Sequence, residues 1–114
     1  MSILSALFGI KNETSDKIKI LDPSAFAEEI AGKKVQLVDV RTANEFKGGH
    51  IKNAVNIDFF NAGNFERSFE KMDKSKPVYL YCRSGNRSQQ AAKRLVDMGF
   101  SQVLDLKGGY LRWS

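Results

Sequence analysis

Two hydrophobic rhythms take turns along this chain. Short runs rich in β-branched, aliphatic and aromatic residues recur at Ile18-Lys19-Ile20, Val35-Gln36-Leu37-Val38-Asp39-Val40, Ala54-Val55-Asn56-Ile57, Pro77-Val78-Tyr79-Leu80-Tyr81 and Gln102-Val103-Leu104-Asp105-Leu106. Each predicts a strand. The Val35–Val40 run is nearly continuous in apolar residues, as expected where a sheet is covered on both faces. Between these runs the period lengthens to that of a helix. Asp22 suits an N-cap and Pro23 a first turn, with Phe26, Ala27 and Ile30 on one face and Gly32 as the stop. Thr42 and Glu45 have capping-box spacing for a short helix through Ala43-Asn44-Glu45-Phe46, broken by Gly48-Gly49. Phe65, Phe69 and Met72 fall on one side of a partly helical stretch from Phe60 to Met72, followed by a loop from Asp73 to Pro77; the aromatic stripe of Phe60, Phe65 and Phe69 is expected to be core, with part of it free to wall the entrance of a site. Gln89 to Val96 reads as a helix closed by Gly99, and Gly108-Gly109 turns the chain into a short end carrying Tyr110, Leu111 and Trp113. Strands alternating with helices predict an α/β fold, a parallel sheet flanked by helices on both faces. Ligands in such folds bind beyond the carboxyl ends of the strands.

At 114 residues the chain has room for one domain with a real core. Residues 18–114 are expected to form it, preceded by an apolar segment and linker over residues 1–17. Ile3, Leu4, Leu7 and Phe8 would form one helical stripe. The stretch is too short to span a bilayer and has no Lys or Arg before Lys11, which argues against a secretory signal. It is expected to fold back on the domain or fray; docking of residues 1–10 on a membrane or a partner is the alternative. No long apolar surface stands out, so a monomer is expected.

Cys82 is the one cysteine, which excludes an intramolecular disulfide and favours a reducing compartment, the cytoplasm. The net charge is +5, and Arg83, Arg87, Lys93 and Arg94 would set part of it around that cysteine, where it would draw small anions. The plainer reading is solubility. With no basic run and no recognition motif, nucleic acid is not an expected partner.

The cysteine stands where the Pro77–Tyr81 strand runs into a polar turn, Arg83-Ser84-Gly85-Asn86-Arg87-Ser88. A thiol at a strand end, with a turn curling over it into a helix start, sits beneath converging backbone N–H groups. Such a cradle binds anions and favours thiolate over thiol. Gly85 permits the turn, Ser84 and Ser88 can donate hydroxyl hydrogen bonds, and Arg87 faces either the anion or the loop. Asp39 ends a buried strand, where an unpaired charge is costly, so it is expected to hydrogen-bond backbone near this loop; with Arg41 it invites the reading of a catalytic pair. His50 invites a cysteine–histidine reading, but it sits in a turn before a strand. One histidine with one cysteine is a poor metal site, and neither metal nor cofactor is expected.

Four segments in order resemble a single-domain rhodanese, a sulfurtransferase family: Leu37-Val38-Asp39-Val40-Arg41; Glu45-Phe46 with Gly49-His50-Ile51 and Ala54–Ile57; Cys82–Ser88; and Leu106-Lys107-Gly108-Gly109 with Trp113. The resemblance covers about residues 18 to 113. It implies that Cys82 attacks the outer sulfur of a small sulfur-containing anion such as thiosulfate, becomes a persulfide, and passes that sulfur to a thiol, to a cyanide-like nucleophile or to a protein acceptor. It implies further that Arg83 attracts the donor, that Glu45 clamps Arg87, and that Asp39, Arg41 and His50 support the site. Two alternatives remain: a non-catalytic binding module on the same fold, and a phosphatase or arsenate reductase of related fold. The phosphatase loop is one residue longer. Here four residues lie between Cys82 and Arg87, a ring that suits one sulfur atom better than a phosphate.

Overall fold

The computed structural model describes residues 16–113, so the expectations for the apolar segment and most of the linker lie outside the described residues. Five parallel strands form one sheet: β1 (Ile18–Leu21), β2 (Gln36–Asp39), β3 (Val55–Asn56), β4 (Val78–Tyr81) and β5 (Val103–Leu106). The helices are α1 (Pro23–Ile30), α2 (Ala43–Lys47), α3 (Ala62–Glu70) and α4 (Asn86–Asp97), with a 3₁₀ turn at Tyr110–Arg112. The strand order is β1-β5-β4-β2-β3. β4 is thus the middle strand, buried along its whole length, and Cys82 follows directly at its carboxyl end.

Alternation along the strands sorts the core into two layers. Val38, Leu80, Cys82 and Val103 face Phe65 and Phe69 of α3 and Ala91, Ala92 and Leu95 of α4. Leu37, Tyr79, Tyr81, Leu104 and Leu106 face Phe26 of α1, with Trp113 packed against that layer. Helices cover both faces, as the alternating pattern predicts. Among the described residues no helix is long and apolar enough to cross a membrane.

The structure departs from the sequence expectations in instructive places. α4 starts at Asn86, three residues before Gln89, because Asn86, Arg87 and Ser88 carry no apolar period to announce it. Ser88 is fully buried and takes an inward place on the helix stripe that continues through Ala91, Ala92 and Leu95. Asp22 stands at the N-cap of α1, but its side chain makes no capping bond. α1 already ends at Ile30, with Gly32 at φ +64° in the turn beyond. The capping box of α2 is formed as expected: Glu45 N–H donates to Thr42 Oγ1, and Thr42 N–H donates to Glu45 Oε1. β3 shortens to Val55–Asn56, pairing only with β2. Phe65 and Phe69 are core, but Phe60 is 67% exposed and does not join them. It precedes α3, whose N-cap is Asn61, and so escapes the helix's buried face.

Candidate active site

The site is built at the end of β4. Gly85 is the N-cap of α4, at φ +109°, and has no side chain with which to cap the helix. The Cys82 sulfur takes that place. Ser88 N–H, at the third position of the helix, donates to Sγ at 3.3 Å, and Gly85 N–H donates at 3.1 Å. The Sγ–H donates to Ser88 Oγ at 3.4 Å, and Ser88 Oγ–H donates to Gly85 O at 3.3 Å. Two amides and a helix N-terminus therefore converge on a buried sulfur and stabilise negative charge on it. The amides of Arg83, Ser84, Asn86 and Arg87 have no acceptor among the described residues.

The carbonyls of the same loop are held from outside. Tyr110 N–H donates to Cys82 O at 2.8 Å and Leu111 N–H to Arg83 O at 3.1 Å. Gly109, at φ +65° and ψ −162°, lets the terminal segment lie against the Cys82-Arg83 peptide. A methyl group there would sit 2.5 Å from Arg83 O and 2.6 Å from Cys82 O.

Arg87 is held in a two-pronged pair with Glu45, Nη1–Oε1 at 2.7 Å and Nη2–Oε2 at 3.0 Å. Those bonds, with help from the Thr42 amide and against the cost of burial, hold the Glu45 carboxyl down at about 2. The guanidinium also lies 5.5 Å from the Phe60 ring, so the exposed phenylalanine flanks the clamp. The positive charge around the cysteine is narrower than the sequence implies. Arg94 lies over the rings of Phe59 and Phe65 at 4.6 and 5.1 Å. Lys93 faces solvent, and Arg83 is the exposed cation of the loop itself.

Asp39 and Arg41 form a buried ion pair one strand away. Asp39 accepts from the Arg41 backbone amide at 2.9 Å and from the Arg41 guanidinium at 2.6 and 3.0 Å. It therefore does bond a backbone amide, but its main partner is a charge. The guanidinium goes on to donate to Gly49 O and lies 4.5 Å from the Tyr110 ring. Burial works against that charge, but Asp39 outweighs it and raises the Arg41 pKa. The pair thus braces the strand ends and the terminal segment around the loop. His50 is exposed, with Nδ1 2.8 Å from Phe46 O and its ring stacked on Phe46 at 3.7 Å. It serves the turn and shows no contact with the cysteine. Among the described residues no three His, Cys, Asp or Glu side chains converge as a cation site.

Two buried residues, Gly109 and Asp105, are given no individual site role by sequence reasoning. Gly109 matters because of a close approach that only folding creates. Asp105 is 1% exposed, and its Oδ1 has no hydrogen-bond partner among the described residues. Its one signal in the sequence is a carboxylate set inside the apolar run Val103–Leu106.

The chain matches the family model of the rhodanese-like domain over residues 22–114. It is 42% identical over 81 residues to the uncharacterized protein YqhL of Bacillus subtilis, a match covering 71% of this chain and 62% of that protein. The chain thus spans less than two thirds of that relative's length. It is 35% identical to the thiosulfate sulfurtransferase GlpE of Shewanella oneidensis, covering 83% of this chain and 91% of that one. The crystal structure of a rhodanese-like domain protein from Staphylococcus aureus superposes with a TM-score of 0.72 at 27% identity, covering 84% of this chain and 91% of that chain. The order of the strands, the cysteine at the end of the middle strand and these matches agree: the chain belongs to the rhodanese-like domain family.

Proposed function

We propose that this chain is a sulfurtransferase that moves sulfane sulfur from thiosulfate or a persulfide donor to a nucleophilic acceptor through a persulfide on Cys82. The observation that carries this reading is the pair of amides from Gly85 and Ser88 on Sγ, at 3.1 and 3.3 Å, inside a loop with four residues between Cys82 and Arg87. The Cys82 thiolate attacks the outer sulfur of thiosulfate. A sulfur–sulfur bond forms, and sulfite leaves with the electron pair of the bond that breaks. The charge then rests on the outer sulfur of the persulfide, within reach of the loop amides that have no other acceptor. A thiolate or cyanide attacks that outer sulfur, takes it away and returns Cys82 as thiolate. The relative named thiosulfate sulfurtransferase supports this class of donor.

Each supporting residue has a distinct part. Arg83 draws the anionic donor from solvent. Glu45 keeps Arg87 out of the ring and so holds the loop's shape. Asp39 and Arg41 hold the neighbouring strand end and the terminal segment against the loop, and His50 supports the turn. Glu45 also speaks against phosphate chemistry, because an arginine paired on both nitrogens is not free to hold a phosphoryl group. A thiol that must stay reduced between turnovers suits a reducing compartment such as the cytoplasm.

The test is intact-protein mass after incubation with thiosulfate, for wild type and Cys82→Ser. A gain of one sulfur atom in wild type alone, removed by cyanide, is the expected result. No gain with thiosulfate or with other persulfide donors would overturn the reading and favour a binding module. Turnover of a phosphatase substrate is expected to be absent.

A further inference from the structure

Among the described residues four large apolar side chains stand exposed: Ile20, Val55, Phe60 and Leu111. Ile20 and Val55 lie on β1 and β3, the two edge strands, where a branched residue is expected. Phe60 and Leu111 belong to no strand and to no helix longer than the terminal 3₁₀ turn. Phe60, 67% exposed, is in the turn after β3, and Leu111, 60% exposed, is in the terminal segment. Both stand at the Cys82 loop. The Phe60 ring lies 5.5 Å from the Arg87 guanidinium, where the loop passes into α4. Leu111 N–H donates to Arg83 O at 3.1 Å, beside the cysteine. That bond fixes the Leu111 backbone, and Phe60 is fixed in turn by its own N–H, which donates to Asp58 Oδ1 at 2.9 Å. An apolar side chain is thus pinned and exposed at each end of one loop.

Cys82 itself is fully buried, and Arg83, Ser84 and Asn86 are the exposed part of the loop. Thiosulfate and cyanide are small polar anions with no apolar group to set against Phe60 or Leu111. A thiol on a peptide chain brings its neighbours with it, and a buried sulfur makes those neighbours meet the rim. Apolar walls at both ends of the loop call for apolar groups on both sides of the thiol, as a chain provides and a small thiol does not. We propose that the sulfur acceptor is a protein cysteine with apolar neighbours in sequence, and that Phe60 and Leu111 select it. The acceptor thiolate attacks the outer persulfide sulfur and forms the new sulfur–sulfur bond. Cys82 leaves as thiolate with the electron pair of the bond that breaks. Phe60 and Leu111 touch no reacting atom; they bury apolar surface against the acceptor and so hold its thiolate in place. The inference rests on the reading of Cys82 as a sulfur carrier and adds the class of acceptor.

The charges at the rim suit this division. Beside Phe60 the Arg87 cation is already paired on both nitrogens with Glu45, so the approach on that side is apolar without an open charge. Arg83 is exposed and has no ion-pair partner among the described residues. Arg83 therefore serves the anionic donor, and the two apolar residues serve the acceptor. Each half of the reaction has its own recognition, although both use one sulfur.

Discharge of the loaded protein in a single turnover tests this. Cys82 is loaded with thiosulfate, the donor is removed, and loss of one sulfur from the intact-protein mass is followed after an acceptor is added. The acceptors are a short blocked peptide with leucine on each side of its cysteine, the same peptide with serine in those places, and cyanide. At subsaturating concentration wild type should discharge to the leucine peptide about tenfold faster than to the serine peptide. Phe60→Ala and Leu111→Ala should each cut the leucine-peptide rate about three- to fivefold and leave the ratio of the serine-peptide rate to the cyanide rate where it is. Equal rates for the two peptides in wild type would overturn the proposal and leave the rim to another occupant, such as a second copy of this chain. This arm needs no variant to fold. Slowing of all three acceptors by one factor in Phe60→Ala would also overturn it, because Phe60 would then act through Arg87 on the shape of the loop. Failure of Cys82 to load would reject the proposed function and this inference with it, whereas loading followed by equal discharge rejects the inference alone.

Discussion

Asp105→Asn is expected to make the protein more stable above neutral pH, an unusual outcome for a buried residue at a functional site. The unfolded chain ionises this carboxyl near its ordinary value of 3.8, whereas in the folded chain burial raises it to about 7. Between those values the folded state holds a proton that the unfolded state has released. Stability from this group is therefore full below pH 3.8 and is lost as pH rises through about 7. Three pH units at about 1.36 kcal/mol each give about 4 kcal/mol. Relaxation around the ionised carboxylate makes that an upper bound. An amide of the same shape carries no charge at any pH. It gives up nothing to ionisation, so the variant and wild type should match near pH 4 and diverge above it.

Urea unfolding of both proteins from pH 4 to pH 9 measures the difference. With a denaturant slope of about 2 kcal/mol per molar, a gap of 2 to 4 kcal/mol moves the midpoint by about 1 to 2 M. The gap should open between about pH 4 and pH 7 and level off once Asp105 is ionised. Parallel stability curves across the whole range would refute the reasoning. They would mean that the carboxylate finds a partner or water when it ionises and that its burial costs little.

The other predictions concern the frame of the loop. Glu45→Ala removes both Arg87 bonds and the capping acceptor of α2, and should lower stability by about 2 kcal/mol and reduce turnover while Cys82 still takes up sulfur; wild-type turnover in this variant would contradict the clamp. Because the Glu45 carboxyl is held at about 2 against an ordinary 4.5, its contribution is whole above pH 4.5 and fades as pH falls through 2, a window on the acid side of that of Asp105. Gly109→Ala forces a side chain into a backbone region open to glycine alone and against the Cys82-Arg83 peptide, so a loss of about 1 to 3 kcal/mol and of most sulfur transfer is expected by thermal melting and assay; an active, stable variant would show that the terminal segment does not hold the loop. Arg83→Ala should raise the KM for thiosulfate about two- to fivefold at low salt and hardly at all at high salt, the range of an exposed charge; a salt-independent collapse of kcat would assign Arg83 to the chemistry itself.

How far the sequence discloses this site depends on whether each contact is local. The Thr42–Glu45 capping box spans one helical turn and is legible from spacing. The strand runs and the cysteine at the end of the fourth are legible from apolar continuity. The Glu45–Arg87 clamp joins positions 42 residues apart, and the family resemblance rather than any periodicity brings it into view. Phe60 reads as core from the aromatic stripe but is exposed, because an aromatic at the edge of a helical period looks the same whether or not the helix reaches it. Asp105 escapes the pattern for a related reason, and Ser88, legible as a loop hydroxyl, is not legible as a buried helix position. Each is a polar residue standing at an inward position of an apolar stripe, Ser88 before Ala91, Ala92 and Leu95, and Asp105 after Val103. A pattern search reads such a position as the end of an element or as a flaw in it. Their burial in one layer shows only when the helix face, the strand face and the Leu80–Asp105 register are known together. The greater stability expected of Asp105→Asn follows from that placement, because a carboxyl shut among apolar side chains keeps its proton until the folded state has to ionise it at a cost.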